Sequence, residues 1–266
     1  MCLRFVGAFV LGGFFALVAG AGAADDPAAE VLAKKLGEFP GAERGQVLPI
    51  MSPALGVVFP NDHFYVLRFR QYPLVMAAPA PLQANNLFVV RADGASDPLV
   101  NTGALEAFFR AALRPATTDA GAKETAKAWL RLVEEFHQDG FFQFSIPDDS
   151  VKIVPLPNGG REVTGMAQVV PHGGDQGQIS ASLTFSGSGQ LLAASESANI
   201  KRGVRPICQA TKLLDPDPVV RRMAEDAILV MGKAAEEYLS EQRARATPAL
   251  REAMDRIWQR ILIEER

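Results

Sequence analysis

Three histidines, His63, His137 and His172, and two cysteines, Cys2 and Cys208, are the groups best suited to bind a metal or to act as base and nucleophile. No pair of the histidines has H-E-x-x-H or comparable ligand spacing, so a metal site would need residues from distant segments. His137 falls at the end of an apolar-periodic segment, where its charge would suit a helix C-terminus. His172 sits in the glycine-rich turn His172-Gly173-Gly174-Asp175, and Asp148-Asp149 follows Pro147 in another turn. Gly187-Ser188-Gly189 reads as a hairpin turn, not a nucleophile elbow. No phosphate-cradling glycine loop, dinucleotide fingerprint or paired-cysteine motif occurs. The expected catalytic, cofactor-binding and metal-ligand sets are therefore empty, and no cofactor is expected. If a site is dispersed through the chain, its polar candidates are His137, Asp139, Tyr65 and His172.

The beginning of the chain sets a compartment. Met1-Cys2-Leu3-Arg4 carries one positive charge, and Phe5 to Val18 is apolar. Small residues run to Ala24, and charge starts at Asp25-Asp26. This is the three-part pattern of an export signal, with A-x-A sites ending at Ala21 and Ala23. Residues 1–23 are expected to be a signal peptide removed after Ala23, with the protein working in the periplasm, the cell envelope or outside. Cys2 precedes the apolar stretch, so no lipid-attachment motif can precede it. Removal of 23 residues from 266 leaves 243, enough for one large domain or two ordinary ones. It leaves 26 basic and 30 acidic residues, a net charge of −4. That balance argues against a nucleic-acid partner, and stable membrane insertion is not expected once the signal is gone. Cys208, then alone, cannot form an internal disulfide and is expected to be a small buried hydrophobe. Arginine and alanine usage favours a bacterial source.

The elements that would position these residues follow from punctuation and periodicity. Asp26-Pro27 is a cap followed by a first-position proline, and Gly37 can end that helix. Residues 38–60 hold seven prolines and glycines and read as a connector. Phe64–Phe69 and Asn86–Arg91 read as strands, with Pro73, Pro79 and Pro81 interrupting the stretch between them. Leu105, Phe108, Phe109 and Ala112 have helical spacing. So do Ala122, Ala126, Trp129, Val133 and Phe136, predicting a long helix over 120–138. Residues 141–200 switch to a period of two. Ile179, Ala181, Leu183 and Phe185 alternate with Ser180, Ser182, Thr184 and Ser186, as in an antiparallel meander of about four strands with one wet face. The predicted fold is α+β: residues 24–200 form an α+β domain in which the long helix lies across the apolar face of the 141–200 meander. The element order resembles cystatin-like and PepSY-like modules.

A third part begins near residue 207. Leu214-Asp215-Pro216-Asp217-Pro218-Val219-Val220-Arg221-Arg222-Met223-Ala224 continues to Asp226-Ala227-Ile228, then Met231-Gly232 and Ala235…Leu239. The acidic-proline start, the Val-Arg pair and the following alanine resemble the first helix of a HEAT repeat. Thr247 to Ile261 resembles the start of another without the Val-Arg pair. The resemblance covers about 50 residues within 207–266 and implies a three-helix segment and protein-protein binding. It also implies structural roles for Asp217 and Arg221. So few units cannot complete a stacked core alone, so the segment is expected to pack on the preceding domain, with Met223 on its packed face. The expected function is a non-enzymatic exported binding or scaffold protein, with another envelope protein as the expected partner. The alternative is an exported enzyme or small-ligand-binding protein with a dispersed site between helix and sheet.

Overall fold

The computed structural model describes residues 26–69, 78–140, 142–170, 175–203 and 210–264. The expected signal peptide, Cys2, His172 and Cys208 lie outside these residues. The class is α+β, with antiparallel sheets and seven α-helices among the described residues.

Helix α1 (Pro27–Leu36) starts where Asp26 accepts a hydrogen bond from the Ala28 N–H at 3.0 Å, satisfying one of the helix's free donors. The segment read as a connector instead carries a 3₁₀ turn (Ala42–Arg44), strand β1 (Gln46–Pro49) and helix α2 (Pro53–Val58). Its prolines sit where each element tolerates them, at the end of an edge strand and at a first helical position. Strands β2 (His63–Arg68), β3 (Asn85–Val90) and β4 (Ser96–Leu99) complete an antiparallel sheet ordered β1-β2-β3-β4. Tyr65 faces Phe88 across β2–β3, and Val66 faces Leu87. Both faces are apolar. Tyr65, Leu67, Phe69, Phe88 and Val90 pack with Ala28, Leu32 and Leu36 of α1. Phe64, Val66, Leu87 and Val89 point the other way.

On that other side lie α2, α3 (Thr102–Ala112) and α4 (Asp119–His137). Thr118 caps α4 by accepting from the Gly121 N–H at 3.1 Å. A second antiparallel sheet closes the far side of the helix layer. It contains β5 (Phe144–Ser145), β6 (Lys152–Pro155), β7 (Arg161–Val169), β8 (Gln176–Phe185) and β9 (Leu191–Lys201). Its order is β5-β7-β8-β9, with β6 also beside β7. The body is thus layered as α1, first sheet, helices, second sheet, and one apolar core runs from Phe64 and Val89 through Trp129 to Val163 and Leu183. The early strands form a sheet separate from the meander, and α4 is covered by both. Ala122, Ala128, Trp129, Leu130, Leu132 and Val133 are all fully buried, as a helix covered by two sheets requires. The turn between β8 and β9 needs its glycine: Gly189 has φ +83°, and a Cβ there would lie 2.6 Å from the Ala116 backbone.

The helical segment comprises a 3₁₀ turn (Ala210–Leu214), α5 (Pro218–Met231), α6 (Ala235–Arg245) and α7 (Pro248–Ile263). Asp217 caps α5, accepting from the Val219 N–H at 2.8 Å, and Arg221 Nη1 donates to the Asp215 carbonyl at 2.6 Å. Both are structural here. Among the described residues, the segment closes a core of its own formed from residues 210–261, with Ala224, Ile228, Met231, Tyr238, Met254 and Ile261 at its centre. This differs from the expectation that the body would complete it: α7 folds back to meet α5 and the 210–214 turn. Met223 is 58 % exposed and does not lie on the packed face, which Ala224 and Ile228 supply.

Candidate functional site

The second sheet has unlike faces because its rows alternate. Gly165, Ala181 and Glu196 form one row, facing α4. Lys152, Thr164, Ser182 and Ser195 form the next, facing outward, and Met166, Ser180 and Ser197 form another outward row. The segment joining β5 to β6 rises beside these rows as a 3₁₀ turn (Asp148–Ser150). Ser150 Oγ fixes that turn through contacts of 2.7 Å to the Pro147 carbonyl and 3.0 Å to the Met166 carbonyl. Turn and sheet enclose an open groove of about 600 Å³. Its floor is Thr164, Met166, Gln168, Ser180, Ser182 and Ser195, and Pro147, Asp149 and Lys152 form one side. Ser182 Oγ donates to Glu162 at 2.6 Å. Such a floor offers neutral donors and acceptors along with one positive and one negative side chain at the rim. That chemistry suits hydrogen-bonded recognition.

The titratable clusters lie on the other side of this sheet. Glu196, turned toward the helices, accepts from Thr102 Oγ1 at 3.1 Å and lies 3.1 Å from His137 Nε2. Glu134 and Glu135, adjacent on α4, are both buried. Arg131 Nη1 lies 3.2 Å from Glu134 and 2.7 Å from Glu135, and Arg68 of β2 donates to Glu135 and to Asn85. Burial pushes the Glu134 carboxyl up to about 7. Arg131 opposes that change and the Glu135 charge adds to it. This cluster ties α4 to the first sheet.

Of the four dispersed candidates, the three described ones are not all brought together. His137 and Asp139 adjoin at the end of α4, and the buried Asp139 faces Arg202 Nε at 3.8 Å. Tyr65 is on the α1 side of the first sheet, bonded to Asp26. That contact lowers the Asp26 pKa, and burial raises that of Tyr65. His172 is outside the described residues. His63 is exposed at the start of β2. Asp148 pairs with Lys127 at 2.8 Å, and Asp175 accepts from the Gly203 N–H at 2.8 Å. Among the described residues, no group of three or more His, Cys, Asp or Glu is placed to hold a metal ion, and no helix is long and apolar enough to cross a membrane. The groove was half visible in the sequence: alternation marks Ser180, Ser182 and Thr184 as wet, but only the register adds Lys152, Thr164 and Ser195. Neither a family model, nor a characterised protein, nor a solved structure matches the chain.

Proposed function

We propose that this is a non-enzymatic binding or scaffold protein of the cell envelope, and that the outward groove of the second sheet is its recognition surface. The carrying observation is the separation of the two chemistries. The open groove has a floor of hydroxyl and amide side chains with Met166, whereas Glu196, which also borders it, turns its carboxylate to Thr102 and His137 behind the sheet, and Glu134 and Glu135 are paired there with Arg131. The HEAT-like segment, with Val219, Met223 and Val230 exposed along α5, supplies a second surface for protein contacts. The test is quantitative affinity capture from an envelope extract, with the wild type and Ser180→Trp compared side by side. Ser180 lies mid-floor, so an indole there fills the groove. The wild type is expected to retain at least one protein that the variant loses. Identical captured sets for the two proteins would rule the groove out as the recognition surface.

A further inference from the structure

Most sheet edges in this protein are blunted. β1 ends on Pro49, β4 contains Pro98, β5 is two residues long and β6 ends on Pro155. Proline and brevity are the usual means of keeping an edge from accepting another strand. β9 has neither: it is an eleven-residue edge strand without proline.

Its first half is covered differently. Arg110 of α3 donates to the Leu192 carbonyl, and the Ala194 N–H donates to Glu106 Oε1 at 3.3 Å. Arg110 and Glu106 are themselves paired at 2.7 Å. These contacts identify the even-numbered residues of β9 as those whose backbone groups point away from β8. Consistently, the Asn199 carbonyl lies against Gly177 of β8. The clamp stops at Ala194. Beyond it, Glu196, Ala198 and Ile200 point their N–H and C=O groups outward, and no described strand pairs with them.

We infer that this free half-edge, residues 195–201, pairs antiparallel with the same half-edge of a second copy of the chain, on a two-fold axis through Ala198. The free stretch has its midpoint on a residue, Ala198, so that an axis there sets outward-pointing residues opposite outward-pointing residues, as matched hydrogen bonds between two copies require. The clamp at residues 192–194 sets the limit of overlap and hence the register. Glu196 then faces the second copy's Ile200, Ser197 faces its Asn199, and Ser195 faces its Lys201. No like charges meet, and Glu196 is already held by Thr102 and His137. Ala198 is exposed and small, so the backbones can approach. An unrelated strand would need its own complementary sequence, whereas this edge matches itself. The axis stands perpendicular to the sheet, so both outward grooves open on the same side, with Ser195 and Ser197 of each copy flanking the seam.

Sedimentation equilibrium of the whole protein over a micromolar-to-millimolar series tests this, with wild type, Ala198→Lys and Ala193→Lys. The wild type and Ala193→Lys, whose substitution falls beside the clamp, are expected to rise toward twice the chain mass. Ala198→Lys, which sets two ammonium groups face to face on the axis, is expected to stay at single mass with an unchanged circular-dichroism spectrum. A wild type that stays monomeric, or a dimer that Ala198→Lys leaves intact, overturns the proposal. If Ala198→Lys unfolds, Ala198→Cys in a Cys2→Ser, Cys208→Ser chain decides. Residues paired on such an axis have Cα atoms about 5.5 Å apart, within the roughly 4.4–6.8 Å that a disulfide spans. Oxidation should cross-link that variant covalently and leave Ala193→Cys without a cross-link; no cross-link at position 198 overturns the proposal.

Discussion

Glu134→Gln is expected to make the body more stable at neutral and alkaline pH and to change it little in mild acid. The carboxyl is buried beside Arg131 and Glu135, with Arg68 on the far side of Glu135. Its ordinary value of 4.5 and its folded value of about 7 correspond to about 3 kcal/mol, at roughly 1.4 kcal/mol for each tenfold change in proton affinity. Because the folded value is the higher, the folded state binds the proton more tightly. The stabilising contribution is complete below about pH 4.5 and is lost as pH rises through about 7. Glutamine preserves the shape and carries no charge, so it removes this dependence. Urea unfolding of both proteins at several values between about pH 5 and about pH 8 gives the difference curve. It should be under about 1 kcal/mol at the acid end and favour the variant by about 3 kcal/mol at the other. A difference that stays flat across that window would show that Glu134 does not change protonation there, and the account of its burial would fail.

Leu130→Ala should cost about 2–5 kcal/mol, because Leu130 is fully buried against β7 near Gly165; an unchanged urea midpoint would contradict the double covering of α4. Gly189→Ala should destabilise by more than about 1 kcal/mol, since it combines a positive φ with a clash against the Ala116 backbone, and thermal unfolding measures it. Met223→Asp should stay within about 0.5 kcal/mol of wild type, whereas Ile228→Asp, in the centre of the helical segment's core, should open residues 218–263 to proteolysis. Equal protease resistance of the two variants would refute the assignment of faces on α5.

The helix starts at Asp26-Pro27, Asp217-Pro218 and Thr247-Pro248 were legible because a cap and a first-position proline act within one turn. Residues 38–60 resemble a connector because proline density looks the same in a loop and at element boundaries, and only pairing with β2 shows Gln46–Pro49 to be a strand. The second sheet's identity as a separate layer was hidden for a related reason. Apolar periodicity marks one face of α4, but Thr125, Glu134 and Glu135 lie on faces that composition assigns to water and that the fold buries. The partners that make this tolerable, Arg68 and Asn85, come from strands far back in the chain. On α5, Met223 and Ala224 are neighbours in sequence, and a helical wheel of hydrophobic residues cannot say which of them the next helix will cover. The groove needed the β6–β7–β8–β9 register, which is nonlocal throughout.

The position of α4 between two sheets has a consequence for the order in which the chain becomes self-sufficient as it is synthesised. The first sheet is complete once residue 99 has been made, yet its Phe64, Val66, Leu87 and Val89 face has its full cover only when α4 arrives. α4 in turn needs β7 and β8, which end at residue 185. For that whole interval a growing chain carries one uncovered apolar layer or another, and no intermediate length up to residue 185 closes the core. A nascent chain of this protein therefore exposes apolar surface over much of its length. The body is committed to folding as one unit after β8 emerges, however early its first strands have paired.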